Sequence, residues 1–265
     1  MAPRLSHHSA YPAAALVRAR AGRAVSVCLP ARNEERTVGV IVTAVRRALV
    51  AGACGVDLVD EVVVVDDGST DATAAVAAGA GARVVRAEQA GGGKGQALDL
   101  AVAATGGDLL VFLDADVENF SPHFVTGLLG PLLTEEDVAL VKGVYARPAQ
   151  GTVGGGRVTE LVARPLIELL FPALTHIRQP LAGESAAPRS VLEKTGLDPG
   201  YGIELGLLVD VAERFGVEAV ALVDLGVRVH RNRPLAELRP EATDVLRAAL
   251  ARARPPADPP GESSR

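Results

Sequence analysis

Residues 109–116 read Leu-Leu-Val-Phe-Leu-Asp-Ala-Asp, and this stretch restricts the fold more than any other in the chain. Five consecutive apolar residues describe a strand buried on both faces, as in a parallel sheet covered by helices. The strand then runs out into two carboxylates separated by one alanine. In extended chain, positions i and i+2 point to the same side, so Asp114 and Asp116 converge just past the strand end. Convergent carboxylates repel one another unless a cation lies between them. Oxygen donors of this kind suit a hard ion, Mg²⁺ or Mn²⁺, and a Mg²⁺ site of this type keeps positions open for substrate phosphates. A solvated acidic loop capping the next helix is the plainer reading of an isolated Asp-x-Asp. The buried strand before it, and the clusters described next, favour the metal.

Two other strands end in the same way. Residues 25–29 are followed by Pro-Ala-Arg-Asn-Glu-Glu over 30–35, and residues 61–65 by Asp-Asp-Gly-Ser-Thr-Asp over 66–71. Between them, Val38, Ile41, Val42, Val45 and Leu49 recur at helical spacing over 37–50. An alanine-rich helix over 72–78 takes Ser69, Thr70 or Asp71 as its N-cap. A further strand covers 83–86, and Gly91-Gly-Gly-Lys-Gly95 opens a helix through Ala104. Strands alternating with helices predict an α/β fold, a Rossmann-like, mostly parallel sheet flanked by helices. Ligands of such sheets bind beyond the carboxyl ends of the strands, where all three polar clusters fall.

The second half is less regular. Helices are predicted over 121–133, 157–170, 188–195, 203–215 and 241–251, strands over 138–145 and 220–230, and a turn over 181–185. Residues 1–22 read as a poorly ordered arm, and 254–265 as a Pro-rich disordered tail. No internal repeat is visible.

Composition removes several function classes. With 265 residues, 48% of them hydrophobic, the chain suffices for one large α/β domain. A net charge of −5 argues against a nucleic-acid partner. No apolar run reaches membrane-spanning length; the best stretch, residues 161–174, contains Arg164, Pro165, Glu168 and Pro172. Cys28 and Cys54 form no metal-binding spacing and read as core thiols of a reducing compartment. A cytoplasmic protein is the expectation.

Each motif has a functional and a structural reading. Gly91–Gly95 is not a Walker loop, because Gly95 rather than Ser or Thr follows the lysine. It is either a flexible turn or a device that holds Lys94, one of three lysines in the chain, toward a phosphate or a carboxylate. The 66–71 cluster, with Ser69, and Glu34 could accept hydrogen bonds from a nucleobase and ribose, or serve only as turn and cap. Gly154-Gly-Gly-Arg-Val-Thr159 lets backbone approach an anion, with Arg157 as a bidentate fork and Thr159 as a hydroxyl donor. Glu204 at a helix start either ligates or stabilises the dipole. His230, on the polar face of its strand, is a structural imidazole or a third metal ligand.

These residues resemble a known family. Residues 27–35, 64–71, Gly93-Lys-Gly95 and Asp114-Ala-Asp116 look like the nucleotide-sugar half of a GT-A glycosyltransferase. Gly156-Arg-Val-Thr159, Gln179-Pro-Leu-Ala-Gly-Glu184, Gly200-Tyr-Gly-Ile-Glu204 and Val229-His-Arg-Asn232 resemble the glucosyl-3-phosphoglycerate synthases of actinobacteria. The resemblance implies a GT-A fold with a flexible arm over 1–23, a nucleotide-sugar half over 24–145, an acceptor half of the same domain over 146–252, and a disordered tail over 253–265. It implies a retaining, Mg²⁺-dependent transfer (Mn²⁺ as an alternative) of glucose from UDP-glucose to 3-phosphoglycerate by a homodimer. The product feeds methylglucose lipopolysaccharide synthesis. Asp116 and His230 would hold the metal. Pro30, Ala31, Glu34, Ser69 and Lys94 would hold uridine and diphosphate, with Ala115 beside them. Asp114, Leu181 and Glu204 would line the glucose, and Asp114, Glu204 and Lys94 would serve catalysis. Gly156, Arg157, Thr159 and Asn232 would bind the acceptor. No nucleophilic carboxylate stands out; a front-face substitution, in which the leaving phosphate takes the acceptor proton, is what the resemblance implies. The rivals are a mannosyl-3-phosphoglycerate synthase using a GDP-sugar, a polyprenyl-phosphate glycosyltransferase, and a non-catalytic nucleotide-sugar sensor. No basic amphipathic helix supports the membrane-bound rival. The retained aspartates, Lys94, Arg157 and His230 disfavour the sensor.

Overall fold

The computed structural model describes residues 4–52, 55–87, 91–147, 156–229 and 234–253. In chain order the elements are β1 (Arg4–His7), α1 (Ala13–Ala19), β2 (Val25–Ala31), α2 (Val38–Leu49), β3 (Glu61–Asp66), α3 (Thr73–Gly79), β4 (Arg83–Arg86), α4 (Lys94–Ala104), β5 (Leu109–Phe112) and α5 (His123–Thr134). There follow β6 (Leu140–Ala146), α6 (Arg164–Leu170), β7 (Ser185–Pro188), α7 (Arg189–Thr195), α8 (Ile203–Phe215), β8 (Val220–Val227) and α9 (Leu238–Arg252).

The eight strands form one sheet in the order β1-β8-β6-β7-β5-β2-β3-β4. All pairs are parallel except those of β7, which runs antiparallel to both β5 and β6. Strand alternation explains the two cores. Val27, Leu29, Val62, Val64, Leu109 and Val111 face one side, against Leu16, Ile41, Val45, Phe124 and Leu128. Cys28, Val63, Val65, Leu110 and Phe112 face the other, against Leu98, Ile167, Ile203 and Leu208. Both layers are needed because a parallel sheet has no solvated face. Truncating a fully buried ring such as Phe112 to alanine would cost about 3–5 kcal/mol.

The structure corrects several sequence expectations. Residues 1–22 are not simply a loose arm: Arg4–His7 pairs in register with residues 221–224 of β8, and Ala13–Ala19 is helical. β7 is a strand that the sequence reading missed. The N-cap position of α3 is Ala72, one residue beyond the expected caps; Asp71 still accepts from the Thr73 N–H at 2.9 Å. The helix after Arg157 contains a π-helical turn over Thr159–Ala163 before α6. Cys54 and most of the tail lie outside the described residues. Cys28 is a free thiol, and burial pushes it up to about 12. Among the described residues no helix is long and apolar enough to cross a membrane.

Candidate active site

The carboxyl ends of β2, β3 and β5 open into one cleft, and most of the residues singled out above line it. Pro30, Ala31 and Glu34 form the floor beside β2, Asp114, Ala115 and Asp116 the centre, and Lys94, Leu181 and Glu204 the far side. Gly156, Arg157 and Thr159 form the opposite rim. Ser69 does not line the cleft; its hydroxyl accepts from the Asn33 N–H at 3.0 Å, and Asp67 faces the cleft instead. His230 and Asn232 lie outside the described residues.

The glycine loop before α4 has a definite job. Asp67 accepts hydrogen bonds from the N–H groups of Gly91, Gly92 and Gly93 at 3.0, 3.2 and 3.3 Å. The loop amides are thereby spent on a carboxylate, and the loop serves to present Lys94. A side chain at Gly95 would collide with the carbonyl of Asp198, so the loop packs flush against the turn before α8. Lys94 Nζ then lies 2.5 Å from Asp114 Oδ1 and 2.7 Å from Glu204 Oε1. Burial alone would lower its pKa, but the two carboxylates outweigh it and hold the ammonium charged. Gly183 covers this pair closely enough that a Cβ there would strike both Asp114 Oδ1 and Lys94 Nζ.

Asp114 and Asp116 do converge, and a cation lies between them. Arg228 Nη2 donates to Asp114 Oδ2 and to Asp116 Oδ1, each at 2.8 Å. Its Nε is 2.9 Å from Glu184 Oε1 in an ion pair without hydrogen-bond alignment, and its guanidinium lies over the Tyr145 ring at 5.3 Å. Burial would raise the Asp114 carboxyl; Lys94 and Arg228 reverse that and hold it well below the usual carboxylate range. Glu184, completely buried, is raised by burial, with Arg228 opposing. The two carboxylates are oxygen donors of the kind a hard divalent ion takes, and an oxygen of each converges on the same Arg228 nitrogen. Among the described residues no group of three His, Cys, Asp or Glu side chains is placed to hold a metal.

Supporting contacts fix the centre. Thr37, at the start of α2, donates to the Ala115 carbonyl at 2.6 Å. Lys142, on β6, is 2% exposed, and its Nζ donates to the Ala182 carbonyl at 2.9 Å, pinning the turn that carries Leu181. Burial lowers the Lys142 pKa to about 8. On the rim near Gly156 Arg147 follows β6, its Nη2 donating to the Tyr145 hydroxyl at 3.1 Å.

Comparison with known proteins decides the family. Residues 26–180 match glycosyl transferase family 2. The glucosyl-3-phosphoglycerate synthase of Mycolicibacterium paratuberculosis is 48% identical over 95% of this chain and 79% of its own length. This chain belongs to the glucosyl-3-phosphoglycerate synthase family. It has the GT-A fold of that family's solved structures. The Mycobacterium tuberculosis synthase in complex with Mn²⁺, UDP-glucose and phosphoglyceric acid superposes with a TM-score of 0.83 at 46% identity, covering 94% of this chain and 86% of that one. The same synthase with Mg²⁺ and UDP gives 0.84 at 46% identity, covering 95% and 86%.

Within this glucosyl-3-phosphoglycerate synthase family member, the sequence reading missed Arg228, Glu184, Lys142 and Arg147. A lysine inside the apolar run of β6 was a signal for Lys142. Arg228 was visible only as a polar-face residue two positions before His230.

Proposed function

We propose that this protein transfers glucose from UDP-glucose to 3-phosphoglycerate, forming glucosyl-3-phosphoglycerate and UDP with retention at the anomeric carbon. The observation that carries the reading is one cleft joining an aspartate pair, a carboxylate-clamped lysine and an Arg-Val-Thr helix opening. Asp116 would hold Mg²⁺ or Mn²⁺ together with His230. The ion, when bound, neutralises charge on the departing diphosphate.

The chain's own groups divide the remaining work. Pro30, Ala31, Glu34 and Lys94 flank the nucleotide end, and Leu181 and Glu204 the sugar. Asp114 and Glu204 both pair with Lys94, and Asp114 is too weak a base to accept the acceptor's proton at neutral pH. Glu184 is closed against Arg228 and does not face the cleft. Among the described residues the two carboxylates placed on the sugar side, Asp114 and Glu204, are both held by Lys94 rather than left free to attack the anomeric carbon, which supports a front-face route. The acceptor hydroxyl oxygen bonds to the anomeric carbon, the bond to UDP breaks, and the leaving phosphate oxygen takes the hydroxyl proton. Gly156, Arg157 and Thr159 would grip the acceptor phosphate at the helix opening.

A cytoplasmic homodimer supplying methylglucose lipopolysaccharide synthesis completes the proposal, with the free thiol of Cys28 consistent with a reducing compartment. The test is release of UDP from UDP-glucose and of GDP from GDP-glucose, with and without 3-phosphoglycerate. Acceptor-dependent release from UDP-glucose, abolished by EDTA or Asp116→Asn and restored by Mg²⁺ in the EDTA-treated enzyme, is expected. Full activity in EDTA, or transfer to a polyprenyl phosphate in place of 3-phosphoglycerate, would overturn it.

A further inference from the structure

The cleft holds a cation that the reading above leaves without a task. Arg147 lines the cavity, yet among the described residues its guanidinium meets no carboxylate at ion-pair distance. Its contacts are the hydroxyl of Tyr145 at 3.1 Å and the face of the same ring, 5.0 Å from its centroid. Its Nε is buried and has no hydrogen-bond partner. The other central cations differ: Lys94 is clamped by two carboxylates and Arg228 touches three. A buried guanidinium nitrogen without a partner is costly unless a ligand completes it.

Its place says which ligand. A Cβ built on Gly156 would lie 2.9 Å from Arg147 Nη1, so the guanidinium abuts the helix opening that carries Arg157 and Thr159. Its charge is also felt at Asp114, on the sugar side. Arg147 therefore stands between the acceptor rim and the reacting centre. 3-Phosphoglycerate has the matching layout. Its phosphate is one methylene away from the carbon bearing the reacting hydroxyl, and its carboxylate is attached to that carbon directly. With the phosphate at residues 156–159, the carboxylate falls toward the sugar.

We propose that Arg147 reads the acceptor's second anion, the carboxylate beside the reacting hydroxyl, and so sets the preference for a phosphorylated hydroxy acid over a phosphorylated polyol. The Tyr145 ring and hydroxyl fix the plane of the guanidinium, leaving one edge for a carboxylate. The assignment rests on the glucosyl transfer proposed above.

The experiment compares kcat/KM for 3-phosphoglycerate and for glycerol 3-phosphate, which carries a hydroxymethyl group in place of the carboxylate, at saturating UDP-glucose and Mg²⁺. Arg147→Gln is expected to lower the ratio of the two constants about thirtyfold, mainly through the KM for 3-phosphoglycerate. A change of less than threefold overturns the proposal, as does an equal loss on both acceptors. Arg147→Lys, which keeps the charge but loses the fork, carries the same threshold should the first variant not fold. Wild-type enzyme that transfers to neither acceptor overturns the parent reading and this one together. Wild-type transfer with an unmoved ratio overturns this one alone.

Discussion

On one wall of the cleft Lys94, Asp114, Arg228 and Glu204 bind one another, with Glu184 behind Arg228; on the other, Arg147 meets no carboxylate among the described residues and Arg157 is exposed where its helix begins. The first wall is a closed charge lattice. Its ions are largely withdrawn from water, and each is compensated by a neighbour. The second wall presents its two arginines to the cleft. Substitutions on the first should therefore act on folding as well as activity, and substitutions on the second on acceptor use alone.

The largest effect expected is that of Arg228→Met. It leaves Asp114, Asp116 and Glu184 facing one another without their shared cation, and breaking a buried pair in this way costs about 3–5 kcal/mol. Urea denaturation would measure it. A loss under 1 kcal/mol would mean that the wall does not depend on its own closure.

Lys142 gives a smaller and pH-dependent effect. Its folded pKa lies below the unfolded value of about 10.4, so the unfolded chain binds more protons between pH 8 and 10.5. Stability attributable to this group rises with pH across that window, by up to about 3 kcal/mol, and is lowest below pH 8 where the buried ammonium must stay charged. Glu204, Glu184 and Asp114 face it favourably and Lys94 unfavourably. Comparing the melting temperature of wild type and Lys142→Met across this range isolates the contribution; parallel curves would remove it.

The smallest effect should come from the second wall. Arg157→Lys keeps the charge but loses the bidentate grip, raising the acceptor KM about tenfold, or about 1.4 kcal/mol. The denaturation midpoint and the UDP affinity by calorimetry should stay at wild-type values. A fall in stability comparable to that of Arg228→Met would erase the distinction between the walls.

What was legible in the sequence follows from local physics. β2, β3 and β5 are apolar runs with polar stops, and the stops mark where the cleft opens. Asp114, Asp116, Lys94, Glu204 and Arg157 each carry a local pattern. β7 carries none: Ser-Ala-Ala-Pro has no β-branched residue, and its strand form comes from lying between β5 and β6. β1 is an edge strand whose alternation is too short to read. Arg228 and Arg147 acquire meaning only when β8 and β6 are laid beside β5 and the helix opening at residue 157, a contact between distant parts of the chain that no window of sequence contains.

The reversed strand β7 also governs the order in which this protein can be assembled. β2, β3, β4 and β5 join through nearby segments, with short loops to close. Within the sheet the other block, β6, β8 and β1, joins them through β7, and its strand β8 pairs with Arg4–His7 across more than two hundred residues. During synthesis β2, β3, β4 and β5 can pair while the rest is still being made. Arg228 is made after the aspartates and after β7, so Asp114 can meet Lys94 first and Asp116 gains its Arg228 contact only once β8 is in place.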